Sequence, residues 1–175
     1  MKLSLPSLLL AVAFSIGATA FAQDPGWITK YNDAVTQAQT ENKAIFLDFT
    51  GSDWCPWCMK LKQEVFDMPQ FKDYAKDHLV LVEVDFPNHK YQSAELKQQN
   101  QDLSKKYSIQ GYPTVIVQGK EGRLLGALGY MPGGPGPFLA ALKKVYHGGP
   151  GTSAAAGTPD DFDSFFNKPA GTPAQ

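Results

Sequence analysis

Apolar residues recur along this chain with two different periods, and the switches between them lay out its elements. Trp27, Tyr31, Ala34, Val35 and Ala38 follow one another at three- and four-residue intervals. That spacing predicts an amphipathic helix over Trp27 to Glu41, ended by Asn42 and Lys43. Ala44 to Phe49 is nearly all apolar, as a strand buried on both faces should be. Gly51 and Ser52 break it. A second helix is predicted from Cys55 to about Phe66, with Met59, Leu61, Val65 and Phe66 as its apolar positions, and a shorter helical piece from Gln70 to Lys76. Leu79 to Asp85 reads as another buried strand, and the polar stretch Ser93 to Tyr107 as an exposed helix.

Thr114 to Val117 is a third strand, Gly119 to Gly122 a turn, and Arg123 to Leu128 a fourth strand antiparallel to the third. Pro137 to Tyr146 is a last amphipathic helix, with proline in its first turn and Gly148 at its end. A strand–helix–strand unit followed by a hairpin and a helix predicts a mixed sheet flanked by helices.

Composition changes the picture mainly at the two ends. Lys2 followed by the apolar run Leu3 to Ile16 and by Ala20-Phe21-Ala22 has the layout of a cleaved export signal, residues 1–22. The run is short for a membrane span. No cysteine follows it to take a lipid, and no ER-retention ending is present, so a periplasmic or secreted location is expected. The mature domain is then 23–147. Residues 148–175 form a Gly/Pro/Ala-rich tail that is expected to be flexible, because such a composition buries little apolar surface. One acidic and aromatic island, Asp160 to Phe166, interrupts the tail; it reads either as loose packing on the domain or as a docking peptide. With 175 residues and a formal net charge of -1, the chain fits one globular domain with nothing to steer it toward nucleic acid or an anionic membrane.

The chemistry concentrates at Trp54-Cys55-Pro56-Trp57-Cys58, where a buried strand gives way to a helix. These are the only two cysteines of the chain. As a staple the pair is poor: a four-residue loop contributes roughly 2 kcal/mol in the chain-entropy account, against about 3 for fifteen residues. A structural zinc site needs four ligands, and His78, His89 and His147 are scattered without ligand spacing, so neither metal nor cofactor is expected. A redox pair is the better reading. Cys55, at a helix N-terminus, faces the positive end of the helix dipole and unpaired N–H groups, which favour thiolate over thiol. It is expected to be the exposed nucleophile. Cys58, about one turn on and more buried, would attack a mixed disulfide formed at Cys55.

The run KAIFLDFTGSDWCPWCMK, Lys43 to Lys60, resembles the strand-into-active-site segment of thioredoxin-like proteins, most of all their exported bacterial branch. Gly111-Tyr112-Pro113-Thr114 resembles the family's cis-proline loop. The similarity runs roughly from Trp27 to Tyr146. It implies a thioredoxin-like α/β fold with a mixed central sheet of about four to five strands flanked by helices. It implies that Pro113 is a cis-proline beside the cysteines and that the backbone of Tyr112 pairs with an extended substrate. It also implies that Asp48 is a buried carboxylate able to exchange a proton with Cys58; the alternative is a strand-end aspartate bonded locally. Trp54 and Trp57 flank the nucleophile, either as packing or as an apolar rim for substrate.

The implied function is thiol–disulfide oxidoreductase, with protein or peptide thiols and disulfides as partners. Pro56-Trp57 supplies no charge to stabilise the Cys55 thiolate, and the acidic neighbour Asp53 would raise the thiol pKa. Both lean toward a reductase supplied by a membrane electron donor. Isomerase or oxidase action is the alternative, although no dimerisation segment is evident and a monomer is expected. A low-turnover binding module that works through the tail is a third reading.

Overall fold

The computed structural model describes residues 26–148. The expected signal segment and the tail beyond Gly148 lie outside the described residues. The elements are α1 (Tyr31–Glu41), β1 (Ala44–Thr50), α2 (Pro56–Leu61), α3 (Pro69–His78), β2 (Leu79–Asp85), α4 (Ala94–Lys106), β3 (Thr114–Gln118), β4 (Leu124–Gly129) and α5 (Pro135–Gly148). The strands form one mixed sheet in the order β2-β1-β3-β4, with β1 parallel to β2, antiparallel to β3, and β3 antiparallel to β4. This is the α/β arrangement that the element order predicts.

β1 is central and buried along its whole length, which explains its near-continuous apolar run. Side chains alternate between the two faces of a strand. Ile45, Leu47 and Phe49 point into a cluster with Ala34 and Ala38 of α1 and Leu103 of α4. Ala44 and Phe46 point the other way, into a cluster with Leu61, Val65, Phe66, Phe71, Phe138 and Leu142. Each large side chain buried in this way stabilises the fold by about 1.5–3 kcal/mol.

Two local features depart from the predicted elements. The first helix starts at Tyr31, not at Trp27. Residues before it are extended: Ile28 donates to Leu81 O and accepts from Glu83 N, both at 2.9 Å, so it pairs in parallel with the outer edge of β2. That pairing satisfies backbone groups which an edge strand would otherwise leave open. It also turns Trp27 onto Phe46 and Phe66 instead of onto a helix face. The second departure is the turn Lys62–Phe66, which follows α2 as a π-helical segment; Asp67 N donates to Lys62 O at 2.8 Å. The wider turn leaves both Val65 and Phe66 buried.

Sequence signals at helix ends are met in kind. Asn42 closes α1 in the left-handed region (φ 55°), which asparagine tolerates better than most residues. Ser93 caps α4, accepting from Leu96 N at 3.3 Å.

Candidate active site

The site lies at the C-terminal edge of β1. Leaving that strand, the chain makes a tight turn through Gly51 to Cys55. The indole of Trp54 packs on Gly51, so closely that a Cβ there would sit 2.4 Å from the ring. Glycine is the residue that permits this contact. Cys55 is then the N-cap of α2, with Pro56 in the first turn, where no N–H is lost. Cys58 N donates to Cys55 Sγ at 3.2 Å. The two cysteines are joined in a disulfide with Cα atoms 5.3 Å apart.

The cysteines differ from the expectation in one respect. Both are 4% exposed, so Cys55 is not the more open of the two. In the closed disulfide each sulfur covers the other, with Trp54 and Trp57 adjacent in sequence. Their surroundings still differ. Cys58, and not Cys55, lines a cavity of about 180 Å³ under α2, together with Asp48, Glu83, Thr50, Lys62, Phe66 and Trp27.

Asp48 reaches this cavity because it has the same parity as Phe46 on β1. It is 7% exposed, and its Oδ1 has no hydrogen-bond partner among the described residues. Burial, with smaller contributions from Glu83 and Asp85, pushes its pKa up to about 8. The locally bonded strand-end aspartate is therefore not what the structure has at this oxygen.

The turn is fastened to the loop after β2. Ser52 N and Oγ both donate to the Asp85 carboxylate, at 2.9 and 2.6 Å, and Lys90 Nζ donates to Ser52 Oγ at 2.8 Å. Trp54 Nε1 donates to Phe86 O at 2.7 Å. Asp53 accepts from Asn88 N and His89 N at 2.9 and 2.7 Å, and these bonds pull its pKa below the usual carboxylate range. Its charge is committed to that loop. Sequence reasoning missed this clamp, because hydrogen bonds across more than thirty residues leave no local signal.

The remaining sequence candidates fall around the disulfide on two sides. The Tyr112–Pro113 peptide bond is cis, immediately before the position where Thr114 pairs with Phe49. The Tyr112 ring packs edge-on against Trp54 at 5.7 Å and lies 5.3 Å from Phe86. Trp54, 39% exposed, is thus held by the domain on its ring edge and its nitrogen. Trp57 is 55% exposed and rests on Tyr130 at 5.1 Å, with Lys60 over its ring. Among the described residues no group of three or more His, Cys, Asp or Glu side chains is arranged to hold a metal ion.

A dithiol/disulfide pair capping a helix, over a buried carboxylate and beside an X-Pro loop, equips the edge for thiol–disulfide exchange. Residues 31–146 match the thioredoxin-like domain family. The chain belongs to the thioredoxin-like family. Within it, the chain is 38% identical over 115 residues to the disulfide bond reductase DsbH of Chlamydia pneumoniae, covering 66% of this chain and 69% of that protein. It is 30% identical over 128 residues to the thioredoxin-related protein DsbJ of the same organism, covering 71% of this chain and 37% of that one. The solved structure of a DsbH oxidoreductase superposes with a TM-score of 0.66 at 34% identity, covering 80% of this chain and 94% of the other. With the closed Cys55–Cys58 pair, this thioredoxin-like protein is a thiol–disulfide oxidoreductase.

Proposed function

We propose that the protein is a reductase of disulfides in exported proteins, acting after removal of residues 1–22 in the periplasm or outside the cell. The observation that carries this reading is the Cys55–Cys58 pair seated over Asp48 with only Pro56 and Trp57 between the cysteines. No cation stands between them to favour the Cys55 thiolate and make the disulfide strongly oxidising. The likeness to a disulfide bond reductase supports the same direction.

In the proposed cycle the Cys55 thiolate attacks one sulfur of a substrate disulfide, and the other substrate sulfur leaves as a thiolate. Asp48 takes the proton of Cys58. The Cys58 thiolate then attacks Cys55 Sγ, releases the second substrate sulfur, and closes the disulfide described above. Two electrons have passed from the protein dithiol to the substrate. Tyr112 and Pro113 would receive the substrate backbone, as an added strand is received at a sheet edge. Trp57 and the exposed part of Trp54 would form the apolar rim. A membrane electron donor would restore the dithiol, and the protein would act as a monomer.

The reduction potential tests the direction. Titration against glutathione buffers, followed by the fluorescence of Trp54 and Trp57, is expected to give a value near that of thioredoxin, about -270 mV. A value between about -120 and -180 mV overturns the reductase reading in favour of oxidation or isomerisation.

A further inference from the structure

Glu83 is absent from the sequence-based site, yet the sheet places it there. In the β1–β2 register Asp48 and Glu83 are direct partners. On that face of β2, Leu79 and Leu81 lie in the apolar core, and Glu83 is the next residue of the same parity. Asp48, Glu83 and Cys58 line one cavity.

The two carboxyls are not equivalent. Asp48 is buried, with an oxygen that no group among the described residues satisfies. Glu83 is half-buried: burial and then Asp85 raise its pKa, and Lys90 and Lys62, the latter at the same cavity, oppose that rise, whereas no cation opposes the rise at Asp48. The groups with charge effects on Asp48 are Glu83 and Asp85, both acidic. Asp85 is already engaged by both donors of Ser52. Two neighbouring carboxyls in such a site do not ionise together. The one near cations keeps the charge and the other keeps the proton.

We propose that Glu83 is a positioning residue: its charge holds a proton on Asp48 while the Cys55–Cys58 disulfide is closed, so that Asp48 can protonate Cys58 as that disulfide is reopened. This rests on the reading of Asp48 as the acid–base partner of Cys58 and extends it to the half-cycle that recharges the protein. In that step a donor thiolate attacks Cys55 Sγ. The S–S bond breaks, its electron pair goes to Cys58 Sγ, and the Asp48 proton follows. The products are a mixed disulfide at Cys55, a neutral Cys58 thiol and an Asp48 carboxylate. A second thiol of the donor then releases Cys55.

The test uses dithiothreitol as donor and the oxidised protein, with tryptophan fluorescence as readout. Rate constants are corrected to thiolate concentration and measured across pH. For the native protein the corrected constant is expected to fall as pH rises through about 8, where Asp48 loses its proton. Glu83→Gln is expected to move that fall about one pH unit lower, leaving rates well below it unchanged. Glu83→Asp, which keeps the charge, is expected to move it back. Asp48→Asn should abolish the fall and slow the acid-limb rate at least about tenfold. Glu83→Gln added to Asp48→Asn should change nothing further. A fall at the native pH in Glu83→Gln, with Asp48→Asn flat, overturns the role of Glu83 and leaves the Asp48 reading standing. A native-like fall in Asp48→Asn overturns the Asp48 reading, and the role of Glu83 with it. Circular dichroism at each pH separates either result from unfolding.

Discussion

The two faces of the sheet are built from the same strands and end differently. Toward α1 and α4, β1 and β2 contribute Ile45, Leu47 and Phe49 and Val80, Val82 and Val84, apolar up to the edge. On the opposite face Ala44 and Phe46, with Leu79 and Leu81, give way in the next row to Asp48 beside Glu83, and then to Thr50 beside Asp85. The change falls in the row that lines the cavity with Cys58. Polarity alone is not the difference. Gln118 on the first face is fully buried, but it donates to the Tyr107 hydroxyl and accepts from the Tyr31 hydroxyl at 3.1 Å. Among the described residues Asp48 has no such partner at Oδ1. A satisfied buried amide is compatible with a core, whereas an unsatisfied buried carboxyl costs stability. Both faces carry a packed core, and one of them gives up stability at the row that lines the cavity with Cys58.

The largest effect that tests this division is Cys55→Ser. Reduction of a protein disulfide, followed by light scattering, should fall to the level of the buffer thiol alone. Loss of so short a loop costs only about 2 kcal/mol of stability. Turnover that survives Cys55→Ser would show that Cys55 is not the nucleophile, whereas a binding module would keep its partner in that variant. Phe49→Ala on the opposite face should do the reverse. It should cost about 3–5 kcal/mol in denaturant unfolding, as large cavities in packed cores do, and leave the reduction potential where it was. A potential moved by Phe49→Ala would show that the two faces are not separate in their work.

Asp48→Asn comes next, and its effect has a sign. The folded pKa of about 8 lies above the ordinary value of 3.8, so the unfolded chain binds fewer protons between those limits. Stability therefore falls as pH rises from about 4 to about 8 and is level above that. Asn removes the slope. The variant should match the native protein near pH 4 and exceed it by roughly 3 kcal/mol above pH 8, after a discount from the full 1.36 kcal/mol per pKa unit. Thermal unfolding across that range checks it, and a variant that is less stable at high pH refutes the unsatisfied carboxyl.

Much of this division is legible in the sequence, and the limits of legibility are physical. The buried run Ala44 to Phe49, the strand Leu79 to Asp85 and the cysteine pair at a helix start can be read directly, because they depend on neighbours in the chain. Asp48 is reached through the resemblance of Lys43 to Lys60 to the thioredoxin-like active-site segment. Glu83 is not, since a single acid near the end of a strand is unremarkable until the register sets it opposite Asp48. Trp27 misleads for a related reason. Its four-residue spacing to Tyr31 suits a helix, but the unpaired edge of β2 and the aromatic cluster around Phe46 claim the segment instead. Asp53 looks like a charge beside the nucleophile, and only the fold shows both its oxygens accepting from the backbone of Asn88 and His89.

Ser52→Ala asks how much of the polar row serves rigidity instead of proton transfer. The hydroxyl donates to Asp85 and accepts from Lys90, so its loss leaves one Asp85 oxygen and one ammonium without that partner. Ser52 N keeps its bond to the other Asp85 oxygen. Asp53 and Trp54 still tie the turn to the loop. The cost should therefore be small, about 1 kcal/mol, and local. Hydrogen exchange should quicken at the Asn88 and His89 amides while the β1 amides stay protected. The position of the pH-dependent fall in disulfide opening should stay fixed, because neither Asp48 nor Glu83 loses a contact. A shifted fall would place Ser52 in the proton machinery; exchange that quickens along β1 would mean that the clamp supports the sheet itself. An unshifted fall with loosened loop amides would assign the outermost row to holding the turn, and the row beneath it to chemistry.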